Sequence, residues 1–461
     1  MRMRLKKNQV LTVTVEDITN LGFGVAKVSG EVIFISDTVP GDTAEIKIIK
    51  CASSYSVARL MSLITPSKIR SENRCPLACH ACAYRALSYE DELKLKGELV
   101  KSAFKKSGLA DVAVMPATGS PVVLGYRNKA EYPIAKNASG DYVIGFYAPK
   151  SHRVTEAAEC PLSPTVFSRI LGVLREFFRD FSISVYDEAS GEGLLRHVYL
   201  RCGETTGEVL LTLVLNGTSL PHGDILVERI RARFPEVVGI LINVNTEKTN
   251  VVLGKKYLTL FGRDYIYDTL AGVRLKITAP SFYQVNRAAA ESIYYKARVL
   301  AELTGDEVLL DLYCGAGSIG LSMAEGVREL IGIEIIESAV ECARENALAN
   351  GVKNASFYSA DAADAESLLT SAERTRGEKI RPDVVVLDPP RGGCDEKLLR
   401  YISTIAPKKI VYVSCNPATL ARDVKILTEL GYASGEVWPH DMFPMTGHVE
   451  SVVCLNRTFE N

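Results

Sequence analysis

The chain has 461 residues, 47% of them hydrophobic and 24% charged, with a formal net charge of -1; that length implies roughly three domains, and the balanced charge excludes a global basic field, so a phosphate-bearing partner must be met by local patches. No window reaches the roughly 18 uninterrupted apolar residues of a membrane span, and residues 1–9 are basic without the apolar core of a secretion signal, so no membrane association and a cytoplasmic location are expected. The 11 cysteines are then read as metal ligands or catalytic groups in preference to a disulfide framework.

In residues 1–65, Leu11, Val13 and Val15 alternate with Thr12 and Thr14, and Ala44, Ile46 and Ile48 alternate with Glu45 and Lys47. Gly22, Gly24, Gly30 and Pro40-Gly41 mark turns, so about five short strands predict an OB-like barrel. Such a barrel can hold RNA or act as a spacer, and the fold alone assigns neither role. Arg2, Arg4, Lys6 and Lys7 form one candidate phosphate patch. Arg127, Lys129, Lys136, Lys150 and Arg153 form a second, opposed only by Glu131 and Asp141; such runs also suit a solvated face.

Residues 66–275 read as a mixed α/β unit, with a charged helix near 89–107 and strand-like runs at 209–215 and 238–244. Cys75, Cys79 and Cys82 with the distant Cys160 have the spacing of a four-thiolate site, which leaves zinc and iron–sulfur both open. His80 is an alternative ligand within the run.

Residues 276–461 become regular. Strands at 308–312, 330–334, 384–388 and 410–414 alternate with helices such as 337–349, which predicts a Rossmann-like, doubly wound parallel sheet with its chemistry at the carboxyl ends of the strands. The run DLYCGAGSIGL at 311–321 carries G-x-G-x-x-G at Gly315, Gly317 and Gly320, a turn that any nucleotide cofactor can approach closely. Asp311 would repel a pyrophosphate but suits the cationic S-adenosyl-L-methionine (AdoMet), and Glu334 ends the second strand where a carboxylate can hold ribose hydroxyls. Asp361, after the strand-like 355–358, is placed to contact the adenine.

LDPPR at 387–391 closes a strand with Asp388 and two stiffening prolines. In place of the aromatic that would stack on an exocyclic amine stands Arg391, so amino methylation is disfavoured. VYVSCNPATL at 411–420 runs a strand into Cys415, with Asn416 as N-cap and Pro417 at the first helical position, where the helix dipole favours a thiolate. FPMTGHVESV at 443–452 sets His448 and Glu450 before the last strand. A nucleophile, a methyl-donor site and a separate base are what methylation of uracil C5 requires: thiolate addition to C6 activates C5, and a base later removes the C5 proton.

These motifs resemble the RNA uridine C5-methyltransferases that act on transfer RNA U-loops or on 23S ribosomal RNA. The resemblance runs through FYQVN at 282–286, DLYCGAG, the Glu334 strand, LDPPR, SCNP and FPMTGHVE in the family's order, and GFGVAKVSG at 22–30 looks like the TRAM domain of the ribosomal branch. It implies Cys415 as nucleophile and Glu450 as base, and AdoMet or substrate contacts at Gln284, Tyr313, Glu334 and Asp388. It also implies a [4Fe-4S] cluster on Cys75, Cys79, Cys82 and Cys160, although His80 and Ala81 stand where family members more often carry Gly-Gly. The expected partner is RNA, ribosomal before transfer RNA, and the expected state a monomer. An NAD-dependent dehydrogenase rests on the glycine motif alone and leaves Cys415 and Glu450 unexplained, as does an RNA-binding or RNA-folding protein without catalysis.

Overall fold

The computed structural model describes residues 5–458 apart from 73, 74, 76, 78, 80, 149, 150 and 378. Arg2, Arg4, His80 and Lys150 therefore lie outside the described residues.

The N-terminal alternation folds into a six-stranded sheet running from Val10–Thr14 to Tyr55–Thr65. The register Leu11↔Ile46 and Val13↔Ala44 puts like-facing residues side by side. Val13, Ala26, Ile33, Ile35, Ala44, Ile46, Ile48 and Ala58, from five of the strands, share a core. A seven-stranded, mainly antiparallel sheet follows, from Lys129–Lys136 to Lys256–Gly262. The helices Thr165–Asp180 and Gly223–Arg233 bury Phe167, Ile170, Phe177, Leu226 and Ile230 in its core.

The C-terminal sheet has seven strands in the order Ala355–Ser359, Glu329–Glu334, Val308–Leu312, Val384–Leu387, Lys409–Ser414, Glu450–Arg457, Tyr432–His440. The first five run parallel, and Glu450–Arg457 is antiparallel to both its neighbours. Chain order reverses at Val308–Leu312, and the carboxyl ends beside such a switch point form a ligand crevice.

Residues 89–118, assigned to the central unit on the sequence, pack instead on this sheet. Ser88 caps the helix Tyr89–Lys106 by accepting from Asp91 N–H. Val100 and Phe104 on its inner face join Leu420, Val424 and Leu427 in the C-terminal core. Beyond the helix, Val114 bridges to Val437 and Thr118 to His440. Among the described residues no helix is long and apolar enough to cross a membrane.

Candidate active site

At the switch point, the turn after Val308–Leu312 is built by hydrogen bonds to two acids. Asp311 Oδ2 accepts from Gly320 N–H (3.0 Å), and Glu334 Oε2, at the end of the neighbouring strand, accepts from Gly315 N–H (3.1 Å). Gly320 is needed for this close approach, because a Cβ there would stand 2.7 Å from Asp311 Oδ2 and 2.8 Å from Leu330 Cδ1. Tyr313 holds a left-handed backbone conformation with φ of 65°, a strained state for a residue with a side chain and one that clusters at functional sites. Gln284, Tyr294, Asp311, Tyr313, Gly315 and Asp388 line one cavity. Glu334 stands behind its floor through Gly315. Asp361 is not in the wall: it is exposed, and its carboxylate caps the turn Ala362–Asp364 by accepting from Ala363 N–H.

Asp388 is shared between this cavity and the predicted reacting groups. Burial, then the Asp388 carboxylate, push Glu450 up to about 8, with the Arg391 guanidinium pulling the other way. Burial pushes Asp388 itself up to about 7. Cys415 is pushed up to about 11 by burial and by Glu450 and Asp388, again against Arg391. Three groups from three different strand ends thus lie within electrostatic reach of one another. The turns carrying them are tied together, because Arg391 O accepts from Asn416 Nδ2 (2.9 Å) and Asn416 Oδ1 caps the helix Pro417–Glu429. Burial and the Glu450 and Asp388 carboxylates thus push the thiol up, against the direction expected from the helix N-terminus.

The cysteine quartet approaches the segment before Glu450, where Cys82 and Cys160 share a cluster with Met445. Cys75, Cys79 and Cys82 are buried, Cys160 is half-buried, and none of the four forms a disulfide. Burial, then Cys160, Cys75 and Cys79, push Cys82 up to about 12, so the four thiols converge. Cys82 and Cys160 pack with Tyr126, Leu162 and Met445. Among the described residues no group of three or more His, Cys, Asp or Glu is arranged so that it could hold a metal ion.

A family model described as tRNA (uracil-5-)-methyltransferase matches residues 236–458, and a TRAM domain model matches residues 4–61. An RNA methyltransferase of Halalkalibacterium halodurans is 40% identical over 454 residues, covering 98% of each chain. The chain belongs to the tRNA (uracil-5-)-methyltransferase family. An RNA methyltransferase of Bacillus cereus is likewise 40% identical over 456 residues, with 98% of each chain covered. Among solved structures, the Pyrococcus abyssi tRNA (uracil-54, C5)-methyltransferase in complex with S-adenosyl-L-homocysteine superposes with a TM-score of 0.78 at 28% identity, over 96% of this chain and 100% of that one.

As an AdoMet-dependent RNA methyltransferase the protein needs a site for a cationic donor, and the cavity fits one. Asp311 Oδ1 is buried without a hydrogen-bond partner, and an ammonium or sulfonium beside Asp311 and Asp388 would offset the burial that raises both acids and the Asp388 charge that adds to it at Asp311.

Sequence reasoning missed the groups that hold the loop before Glu450. Lys96, Glu92 and Asp441 form a buried ionic cluster beneath it. Tyr126 Oη donates to Pro444 O (3.0 Å), Tyr84 N–H to Met445 O (2.9 Å), and Asn286 Nδ2 to Met442 O (3.0 Å). Only Asn286 had a signal, as part of FYQVN; Glu92 and Lys96 fall within the charged helix expected near 89–107, and their i, i+4 spacing gives no sign of burial. The second basic patch is partly engaged within the fold, since Lys129 pairs with Glu131 (3.3 Å) and Lys136 stacks over the Tyr142 ring (4.8 Å).

Proposed function

We propose that this methyltransferase methylates C5 of a uridine in RNA through a covalent bond between Cys415 and C6, resolved by Glu450. The observation that carries the reading is the convergence of Cys415, Glu450 and Asp388, from three strand ends, beside the cofactor cavity. A buried base separate from the nucleophile is needed only if the carbon that accepts the methyl group must afterwards lose a proton. In this reading Cys415, deprotonated to solvent, adds to C6 as its thiolate, and C5 gains the electron pair that forms its bond to the methyl group. Bound AdoMet supplies that methyl group. Glu450 then takes the C5 proton, the C5–C6 double bond re-forms, and Cys415 leaves. Gln284, Tyr313, Gly315, Glu334 and Asp388 are assigned to the cofactor and to the approach of the base. Asp361 is assigned to the adenine edge, as the next strand end after Glu334.

Cys75, Cys79, Cys82 and Cys160 would hold the [4Fe-4S] cluster, each through its thiolate. Burial, with the neighbouring cysteines, raises Cys82 and Cys160, and a shared cation would favour the deprotonated forms of the quartet. We place ribosomal RNA first as substrate and the cytoplasm as the place of action, with the TRAM sheet adding RNA contacts. Transfer RNA is the second reading, favoured by the likeness to the Pyrococcus abyssi enzyme over 96% of this chain. The test is transfer of labelled methyl from AdoMet to 23S ribosomal RNA and to transfer RNA from cells lacking this gene, followed by nucleoside analysis. Label in 5-methyluridine from the ribosomal RNA alone is expected. Label in transfer RNA alone establishes the second reading, and label in a different nucleoside overturns the reaction.

A further inference from the structure

The segment 441–449 links two strands of the C-terminal sheet and delivers Glu450 to the crevice. Beneath it Lys96 is fully buried, and its Nζ donates to Asp441 Oδ1 (2.6 Å), Glu92 Oε1 (2.7 Å) and Phe443 O (3.1 Å). Glu92 Oε1 also accepts from Met445 N–H (2.8 Å), and Asp441 Oδ1 from Phe443 N–H (3.0 Å). Lys96 and Glu92, from a helix more than 300 residues away in the chain, therefore fix the backbone of 441–445 together with the segment's own Asp441.

Such a cluster is a poor device for stability alone. Desolvating two or three charges offsets much of their attraction, and apolar side chains of the same volume often serve as well or better. What charge and directed hydrogen bonds add is one preferred arrangement, which a hydrophobic contact that can slide does not specify. We propose that Lys96, through Glu92 and Asp441, is a positioning residue that holds Glu450 at the distance from C5 needed for proton removal. The inference rests on the function proposed above. It assigns Lys96 no contact with RNA or cofactor, and it predicts a defect confined to the step that Glu450 performs.

The test follows a single turnover with methyl-labelled AdoMet and RNA, reading the covalent protein–RNA species on a denaturing gel. Glu450→Gln serves as the reference for a fully stalled species. Lys96→Met removes the charge at similar volume. In this variant AdoMet affinity by calorimetry and the rate of adduct formation are expected to stay within about twofold, while adduct release slows roughly 10- to 100-fold, the scale of a misplacement of about 1 Å. Asp441→Asn keeps the Oδ1 acceptor and removes one charge, so its labelled adduct should accumulate to an intermediate level. If Glu450→Gln itself forms no adduct, the proposed reaction fails. If it does, and Lys96→Met slows formation and release equally, Lys96 is only structural and the inference fails. Should Lys96→Met not bind AdoMet, Asp441→Asn decides, and release at the native rate in that variant overturns the proposal.

Discussion

Asp388 lines the donor cavity and, after burial, its charge adds to the upward shift of both Glu450 and Cys415. Folding raises Glu450 from 4.5 to about 8. For an acid raised in this way, the stabilising contribution is complete below 4.5 and is lost as pH rises through about 8. The free protein is therefore expected to lose stability over that window, and Glu450→Gln should flatten the loss in a series of urea titrations. Catalysis runs in the opposite sense, because only ionised Glu450 accepts a proton. Adduct release should therefore accelerate as pH rises toward the Glu450 value. Asp388→Asn removes the like charge that raises Glu450 after burial, so the rising limb should move to lower pH. A limb that stays in place in Asp388→Asn would mean that another group titrates there.

The elements that deliver these residues owe their sharp ends to local chemistry. Asn286 caps the helix Arg287–Ala301 by accepting from Ala289 N–H, and its amide nitrogen holds both Ser120 Oγ and Met442 O. Asn286→Ala should lower stability by about 1 kcal/mol for the cap, with a further loss for the buried Met442 O that loses its amide donor, measured by thermal unfolding with AdoMet absent. The parallel strands and the helix Glu337–Ala349 were legible because an apolar strand, a glycine turn and an amphipathic helix each leave a distinct period. The SCNP turn was legible because Asn before Pro is a helix start, as the cap on Ala418 N–H bears out. The destination of helix Tyr89–Lys106 was not legible. Lys96 and Glu92 are buried against partners hundreds of residues away, and no local period encodes that pairing. The raised Cys415 thiol was missed for the same reason, since its opponents Glu450 and Asp388 arrive from other strands.

In the whole molecule, the loop before Glu450 is where all parts meet. Tyr84, next to the cysteine run, donates its N–H to Met445 O and its hydroxyl to Thr19 O (3.3 Å) of the N-terminal sheet. A Cβ on Gly447 would stand 2.1 Å from Asn20 O, so Gly447→Ala should separate the TRAM unit from this loop. RNA affinity is then expected to fall, with little change in AdoMet binding by calorimetry, and the lost affinity should depend on salt as phosphate contacts do. Unchanged RNA affinity would take the N-terminal sheet out of substrate recognition. Cys82 and Cys160 of the quartet pack with Met445 of the same loop. Anaerobically purified protein is expected to be brown and to carry roughly four irons per chain. Stoichiometric zinc without iron would contradict that assignment, and Cys75→Ala should cost folding more than chemistry. Three units were visible in the sequence as changes of pattern. Their convergence on nine residues before Glu450 was not, because it rests on backbone contacts between distant segments.

The central claim is the division of labour between Cys415 and Glu450, and trapping tests it most directly. Glu450→Gln, incubated with methyl-labelled AdoMet and RNA, should accumulate a protein–RNA band that carries the label and survives denaturation. Cys415→Ser in the same background should abolish the band, since a neutral hydroxyl is a far weaker nucleophile than a thiolate. A Glu450→Gln protein that turns over at the native rate, or a labelled band that persists with Cys415→Ser, would contradict the account.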